Sequence, residues 1–166
     1  MDTNNRKKLL NVWNVIWLVI GVSLISWELY LYKVKRERFF PEYFLNSTFV
    51  IVLILFFQYK QLRKWLVYSI WMTVALVPFV LSFSFKNDVT LVLKGGKNAA
   101  LVLKAPFMFL VNYLLWNSVS KIVYKTQLII PPRYIGYDSE EGRNSNIVDY
   151  VGLFTGVFIL IISSQF

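Results

Sequence analysis

Residues 65–85, WLVYSIWMTVALVPFVLSFSF, form the longest charge-free run in the chain and decide its class. The run contains no Asp, Glu, Lys or Arg. A helix needs about 20 residues to cross a hydrocarbon core of about 30 Å, because each residue adds about 1.5 Å. The run is therefore predicted to be a transmembrane helix.

Four further charge-free runs occur in the chain, and with their flanks they approach the same length. The composition agrees with this pattern, since 57% of the 166 residues are hydrophobic and only 16% are charged. We predict one transmembrane domain over residues 1–166, an all-α, multi-pass integral membrane helical bundle with about five transmembrane helices. The predicted spans are about 9–32, 41–59, 65–85, 105–124 and 147–163.

Residues 86–104 differ from the spans, because two β-prone runs lie on either side of the glycine pair 95–96. This pattern favours a short β-hairpin or an extended loop. The alternative begins the fourth helix near Lys97, with a kink at Pro106 and with Lys104 reaching towards the membrane surface. Prolines, glycines and acids predict an aqueous loop over 125–146.

The net charge of +9 arises from 18 basic residues that lie almost entirely between the apolar runs. This position predicts contact with anionic lipid headgroups and not with nucleic acid. The expected location is the plasma or inner membrane. An arrangement with the N-terminus in the cytoplasm puts ten Lys and Arg residues inside and eight outside, so the orientation is favoured only by a narrow margin.

Histidine and cysteine are both absent from the sequence. Nucleophilic triads and the usual zinc or haem ligand sets are therefore excluded, and no catalytic residue, metal site or cofactor is predicted. A carboxylate-based lipid enzyme would need Asp138, Glu140, Glu141 and Asp149 to converge, and a solvated loop explains the first three more simply. The chain is predicted not to be an enzyme.

One seam of the first span, at a spacing typical of helix pairs, contains polar, small and apolar residues: Asn11, Asn14, Leu18, Gly21, Ile25 and Glu28. Asn14 and Gly21 are therefore predicted to pack against another helix. For Glu28, the pattern favours an interhelical hydrogen bond, and the alternative is that it lines an ion or proton path.

Gly152 and Gly156 lie four residues apart in the last span, in the segment GLFTG. Such spacing lets a second helix backbone approach closely, so both glycines are predicted to be packing positions. The pattern does not identify the partner helix, which could belong to the same chain, to a second copy or to another protein.

Two functions are consistent with these features. The favoured one is a non-enzymatic accessory or interaction subunit that self-associates or binds another membrane protein in a homo- or hetero-oligomer. The alternative is an oligomeric channel or transporter for ions or small solutes, in which Glu28, Asp149, Asn112 and Lys104 would form an intramembrane polar path.

Overall fold

The computed structural model describes residues 12–34, 42–93, 96–129, 137–138 and 143–163, and this part of the chain is predominantly helical. Its helices follow the apolar runs. They are α1 Val12–Val34, α2 Glu42–Phe57, α3 Tyr59–Leu62, α4 Trp65–Ser84, α5 Ala105–Tyr124 and α6 Ile147–Ser163.

Three helical segments are long and apolar enough to cross a membrane, namely Asn14–Val34, Trp65–Ser84 and Ala99–Tyr124. Glu42–Phe57 and Ile147–Ile159 are apolar but shorter. The prediction of a helical bundle of membrane type is thus confirmed, with three helices of membrane length.

The connection from α2 to α4 is short and helical. Gln58 alone separates α2 from α3, and its backbone N–H donates to the carbonyl of Ile54 at 2.9 Å. The backbone of Lys64 is then extended, and α4 begins at the next residue, Trp65. Beyond this turn, α4 packs against α5 and the segment Ala99–Lys104.

The hairpin prediction for residues 86–104 is wrong for most of the two β-prone runs. Val89–Leu91 and Ala99–Lys104 are 3-10 helices, and a single antiparallel bridge joins Val92 to Asn98. Asp88 and Asn98 cap these helices by accepting the backbone N–H two residues ahead. Such caps give the backbone an alternative to strand pairing, which explains the difference.

The second 3-10 helix, Ala99–Lys104, continues directly into α5. The alternative that began the fourth helix near Lys97 therefore describes this junction more closely. Pro106 lies in the first turn of α5, where a missing N–H leaves no intrahelical bond unmade.

The main core lies between α2, α4 and α5, around the fully buried side chains of Leu55, Trp71 and Leu110. Helix α6 packs chiefly on α5, and α1 is peripheral. Only 11% of the α1 span is buried, against 33% of the α4 span. The attachment of α1 therefore depends on few residues.

The segment after α5 returns to the bundle, whereas the sequence predicted an aqueous loop from its start. Leu128 and Ile129 are buried, with exposed fractions of 2% and 0%. Further along, β1 (Tyr137–Asp138) pairs antiparallel with β2 (Arg143–Asn144) just before α6.

Candidate functional site

The face of α1 that meets the bundle combines buried polar and small residues with apolar ones. Asn14, Gly21 and Glu28 are buried and lie seven residues apart, while Leu18 and Ile25 between them are partly buried against the core. We call these five residues the α1 seam. Their spacing is that of helices packed side by side. Position 11 of the predicted pattern lies outside the described residues.

Asn14 and Gly21 of the α1 seam contact α3 and α4, respectively. The side-chain amide of Asn14 donates to the Oε1 of Gln61 at 3.4 Å. A Cβ atom at Gly21 would lie 3.0 Å from the indole ring of Trp71, so the ring packs directly on the glycine. A larger residue at position 21 would separate the two helices.

Glu28 lies at the last position of the α1 seam, with 6% of its surface exposed. It lines a cavity of about 10 Å³ together with Ser47 and Thr48 of α2 and the prolines Pro78 and Pro106. The Ser47 hydroxyl donates to the Phe44 carbonyl at 3.3 Å. Because α1 continues to Val34, Glu28 lies further inside the helix than the sequence indicated.

The sequence did not identify the residues that pack against the α1 seam, namely Gln61, Trp71, Ser47 and Thr48. A signal existed for two of them, because Ser47 and Thr48 interrupt an otherwise apolar second run. For Gln61 and Trp71 there was none, since both are ordinary residues of a membrane flank or span.

The two glycines of α6 pack on α5 of the same chain. A Cβ at Gly152 would lie 3.1 Å from the Cβ of Trp116, and one at Gly156 would lie 3.3 Å from the amide nitrogen of Asn112. Asn112 donates to the Gly152 carbonyl at 3.2 Å and accepts from the Thr155 hydroxyl at 3.0 Å. The close approach thus lets Asn112 bond to the α6 backbone.

Asp149 ties the start of α6 to the segment that follows α5. Its two carboxylate oxygens accept backbone N–H groups from Ile129 and Asn146, each at 2.8 Å, and the Asn146 side chain accepts from the Asp149 N–H. This reciprocal arrangement is a capping box. Asn117 accepts the neighbouring N–H of Leu128 at 3.0 Å.

The four residues of the predicted polar path occupy separate environments. Lys104 lies with its Nζ 5.0 Å from the centre of the Phe83 ring on α4. Glu28 faces the cavity between α1, α2 and α4, Asn112 lies between α5 and α6, and Asp149 caps α6. Asn112 and Asp149 thus both make contacts that hold α6.

Of the four acids considered for a carboxylate site, only Asp149 has a described side chain. Glu140, Glu141 and the side chain of Asp138 lie outside the described residues. In the part of the chain that the structure describes, no group of three or more His, Cys, Asp or Glu residues could hold a metal ion.

The side of α1 opposite its seam is exposed. Val19, Ser23, Ser26 and Tyr30 follow one another at intervals of four, three and four residues, and all are exposed. We call them the α1 outer stripe. Ser23 is nine residues from Asn14, which is two and a half helical turns and therefore the opposite side of the helix.

The hydroxyls of Ser23 and Ser26 belong to the exposed span hydroxyls that have no partner among the described residues, as does Ser84 at the end of α4. Neither makes a hydrogen bond to any described residue. By contrast, Thr73 donates to the Ser69 carbonyl at 2.9 Å and Ser118 donates to the Leu114 carbonyl at 2.8 Å. Only the two serines of the α1 outer stripe are thus left with an unused donor among these four side chains.

No known protein family, curated protein or solved structure matches the chain.

We predict that Gly152→Leu lowers the thermal stability of the protein by about 1–3 kcal/mol, the usual effect of overpacking. The new side chain would meet the Trp116 Cβ, which is fixed to the α5 backbone and cannot move aside. The measurement is thermal unfolding of the purified protein in detergent, followed by circular dichroism.

The matched control is Val151→Leu, which enlarges an exposed neighbour on the same helix and is expected to leave the midpoint nearly unchanged. Equal midpoints for both variants would show that Gly152 does not form a tight contact.

Proposed function

We propose that the chain is a five-span integral membrane protein that acts as a non-enzymatic accessory or interaction subunit. In this proposal, α1 presents its outer stripe to a helix of another membrane protein or of a second copy. The observation that carries it is the pair of exposed serine hydroxyls, Ser23 and Ser26, on the peripheral helix α1.

The physics of helix association in lipid favours this surface. Lipid tails are as apolar as leucine side chains, so helices associate through close packing and hydrogen bonds between them. Small residues permit the approach, and a serine hydroxyl can donate across the interface. The α1 outer stripe offers both properties, with Ser23 and Ser26 one turn apart.

Several contacts favour an interaction role over a channel formed by one chain. Asn112 and Asp149 hold α6 through defined hydrogen bonds. The cavity beside Asn112 measures about 30 Å³ and the one beside Glu28 about 10 Å³. Volumes of this size hold one or two water molecules, which is far less than a continuous path needs.

Lipid is the second partner that we propose. An open apolar groove of about 350 Å³ lies between α2, the start of α5 and the last turn of α6, and its shape suits an acyl chain. Exposed lysines at both ends of the bundle would contact anionic headgroups. Each lysine would contribute about 1 kcal/mol of electrostatic attraction to the membrane surface. The exposed lysines are Lys33, Lys64, Lys86, Lys97, Lys121 and Lys125.

The five-span arrangement rests on α2 and α6. Helices α2 and α3 are nearly continuous over residues 42–62, which is long enough to cross a bilayer. Helix α6 runs antiparallel to α5 as a consequence of the fold-back at Leu128 and Ile129. We place the N-terminus in the cytoplasm, in the plasma or inner membrane.

We predict that the double variant Ser23→Leu, Ser26→Leu weakens association by at least roughly sevenfold. Two interhelical hydrogen bonds of about 0.6 kcal/mol each are lost, and the larger side chains separate the backbones. The measurement is native mass spectrometry of the protein purified in gentle detergent from its native membrane.

Ser118→Leu is the matched control, because Ser118 is exposed but already bonded within its own helix. This control should retain the complex. A wild-type protein that purifies as a single chain, or a double variant that keeps the complex, would contradict the proposal.

We further predict that cysteines introduced at positions 42 and 165 react with an impermeant reagent from one side of the membrane. Cysteines at positions 64 and 125 should react from the other side. The chain has no cysteine, so Glu42→Cys, Lys64→Cys, Lys125→Cys and Gln165→Cys each introduce a single target. The measurement is reaction with an impermeant maleimide in right-side-out and inverted vesicles. Labelling of positions 42 and 64 from the same side would show that α2 does not cross.

A further inference from the structure

An open groove separates α2 from the last turn of α6. Both helices pack on α5 and on the segment Ala99–Lys104, and the groove lies between them. Its volume is about 350 Å³, which falls in the usual range of ligand pockets, about 300–1,000 Å³. The groove is therefore large enough to hold a ligand, unlike the cavities of about 30 and 10 Å³ described above.

The lining of the groove is apolar at every described position except Thr48. Phe49 of α2 and Ile161 of α6 line it from opposite helices, and their exposed fractions are 57% and 52%. The groove therefore opens to the outside of the bundle. The remaining lining residues are Leu45 and Val52 of α2, and Val102 and Ala105 at the junction into α5. None of these side chains is charged, so the lining suits an apolar ligand.

The size of the groove excludes a protein segment as its occupant. From Leu45 to Val52 the groove follows α2 for about 10 Å. A helix with its side chains is about 10–12 Å wide and displaces roughly 800 Å³ over this length, more than twice the volume of the groove. An extended peptide is narrower, but it would bring unpaired backbone N–H and C=O groups into apolar surroundings.

A hydrocarbon chain meets both requirements, because it is narrow and has no hydrogen-bonding groups. Water would fill the groove poorly, since a bound water molecule needs about two to four polar partners and Thr48 is the only polar residue in the described lining. An empty groove would deprive the lining side chains of packing contacts. An acyl chain supplies these contacts to α2 and α6 together.

We propose that the groove binds one acyl chain of a membrane phospholipid, which joins α2 to the last turn of α6. The site rests on the membrane placement and the lipid partner proposed above, and it makes the groove a specific binding site. None of its described lining residues belongs to α1, so it is separate from the α1 outer stripe.

The experiment counts the phospholipid molecules bound to the full-length protein by native mass spectrometry. The protein is kept in a steroid-based detergent, which has no linear alkyl chain to occupy the groove, and is titrated with dioleoyl phosphatidylcholine. We expect saturable binding of one molecule per chain. Leu45→Trp, Ile161→Trp fills the groove from both helices and should weaken binding by at least roughly tenfold, because the loss of about 60 Å³ of packed volume corresponds to that factor.

The matched control is Leu53→Trp, Ile162→Trp, which makes the same substitutions on the same helices at exposed positions outside the groove. This control should bind the lipid as the wild type does. Thr48→Val removes the polar group of the lining but keeps its shape, and it should also retain the lipid. Circular dichroism establishes that each variant is folded.

A second measurement uses the wild-type protein alone. Phosphatidylcholine with a diazirine in one acyl chain should cross-link to α2, to α6 or to residues 99–105, and cross-links confined to α1 or α4 would contradict the site.

The proposal is overturned if the wild-type protein binds no lipid saturably, or if the groove-filling variant binds it as well as the control. Loss of the lipid in Thr48→Val would also overturn it, because the groove would then hold a polar ligand. A wild-type dimer that only the groove-filling variant loses would assign the groove to a second copy instead. Ser23→Leu, Ser26→Leu should lose the complex and keep the lipid, which distinguishes failure of this site from failure of the interaction role.

Discussion

The position of α1 depends on a seam of polar and small residues that meets the bundle from one side only. Lipid gives no hydrophobic drive for one apolar helix to pack on another, so contacts of this kind must hold the helix. Asn14 reaches α3, Gly21 admits the Trp71 ring of α4, and Glu28 faces α2. With these three residues turned inwards, the outer side of α1 carries apolar residues together with Ser23 and Ser26.

The attachment of α6 follows the same physical rule with more contacts. Gly152 and Gly156 bring the helix close to α5, and Asn112 then donates to the carbonyl of Gly152. Asp149 adds a capping box that also fixes the buried segment at Ile129. Helix α6 is therefore integrated into the bundle, whereas α1 is held along one line, and for this reason we propose α1 as the element that contacts a partner.

Charge-free runs were sufficient to locate the long helices, because lipid selects strongly for uninterrupted apolar sequence. The regular spacing of Asn14, Gly21 and Glu28 likewise indicated which side of α1 meets protein. What the sequence could not show depends on tertiary contacts. The burial of Leu128 and Ile129 requires acceptors from Asn117 and Asp149, and the 3-10 helices near residue 98 require side-chain caps that compete with strand pairing.

Helix α1 docks through its seam onto α4 of the same chain. This contact is tested by replacing Trp71 with the photo-reactive residue benzoylphenylalanine and identifying the cross-linked peptides by mass spectrometry. We predict an intramolecular cross-link to α1 close to Gly21, because the Trp71 ring packs on that residue. Cross-links confined to other helices, or to α1 of a second copy, would contradict this account.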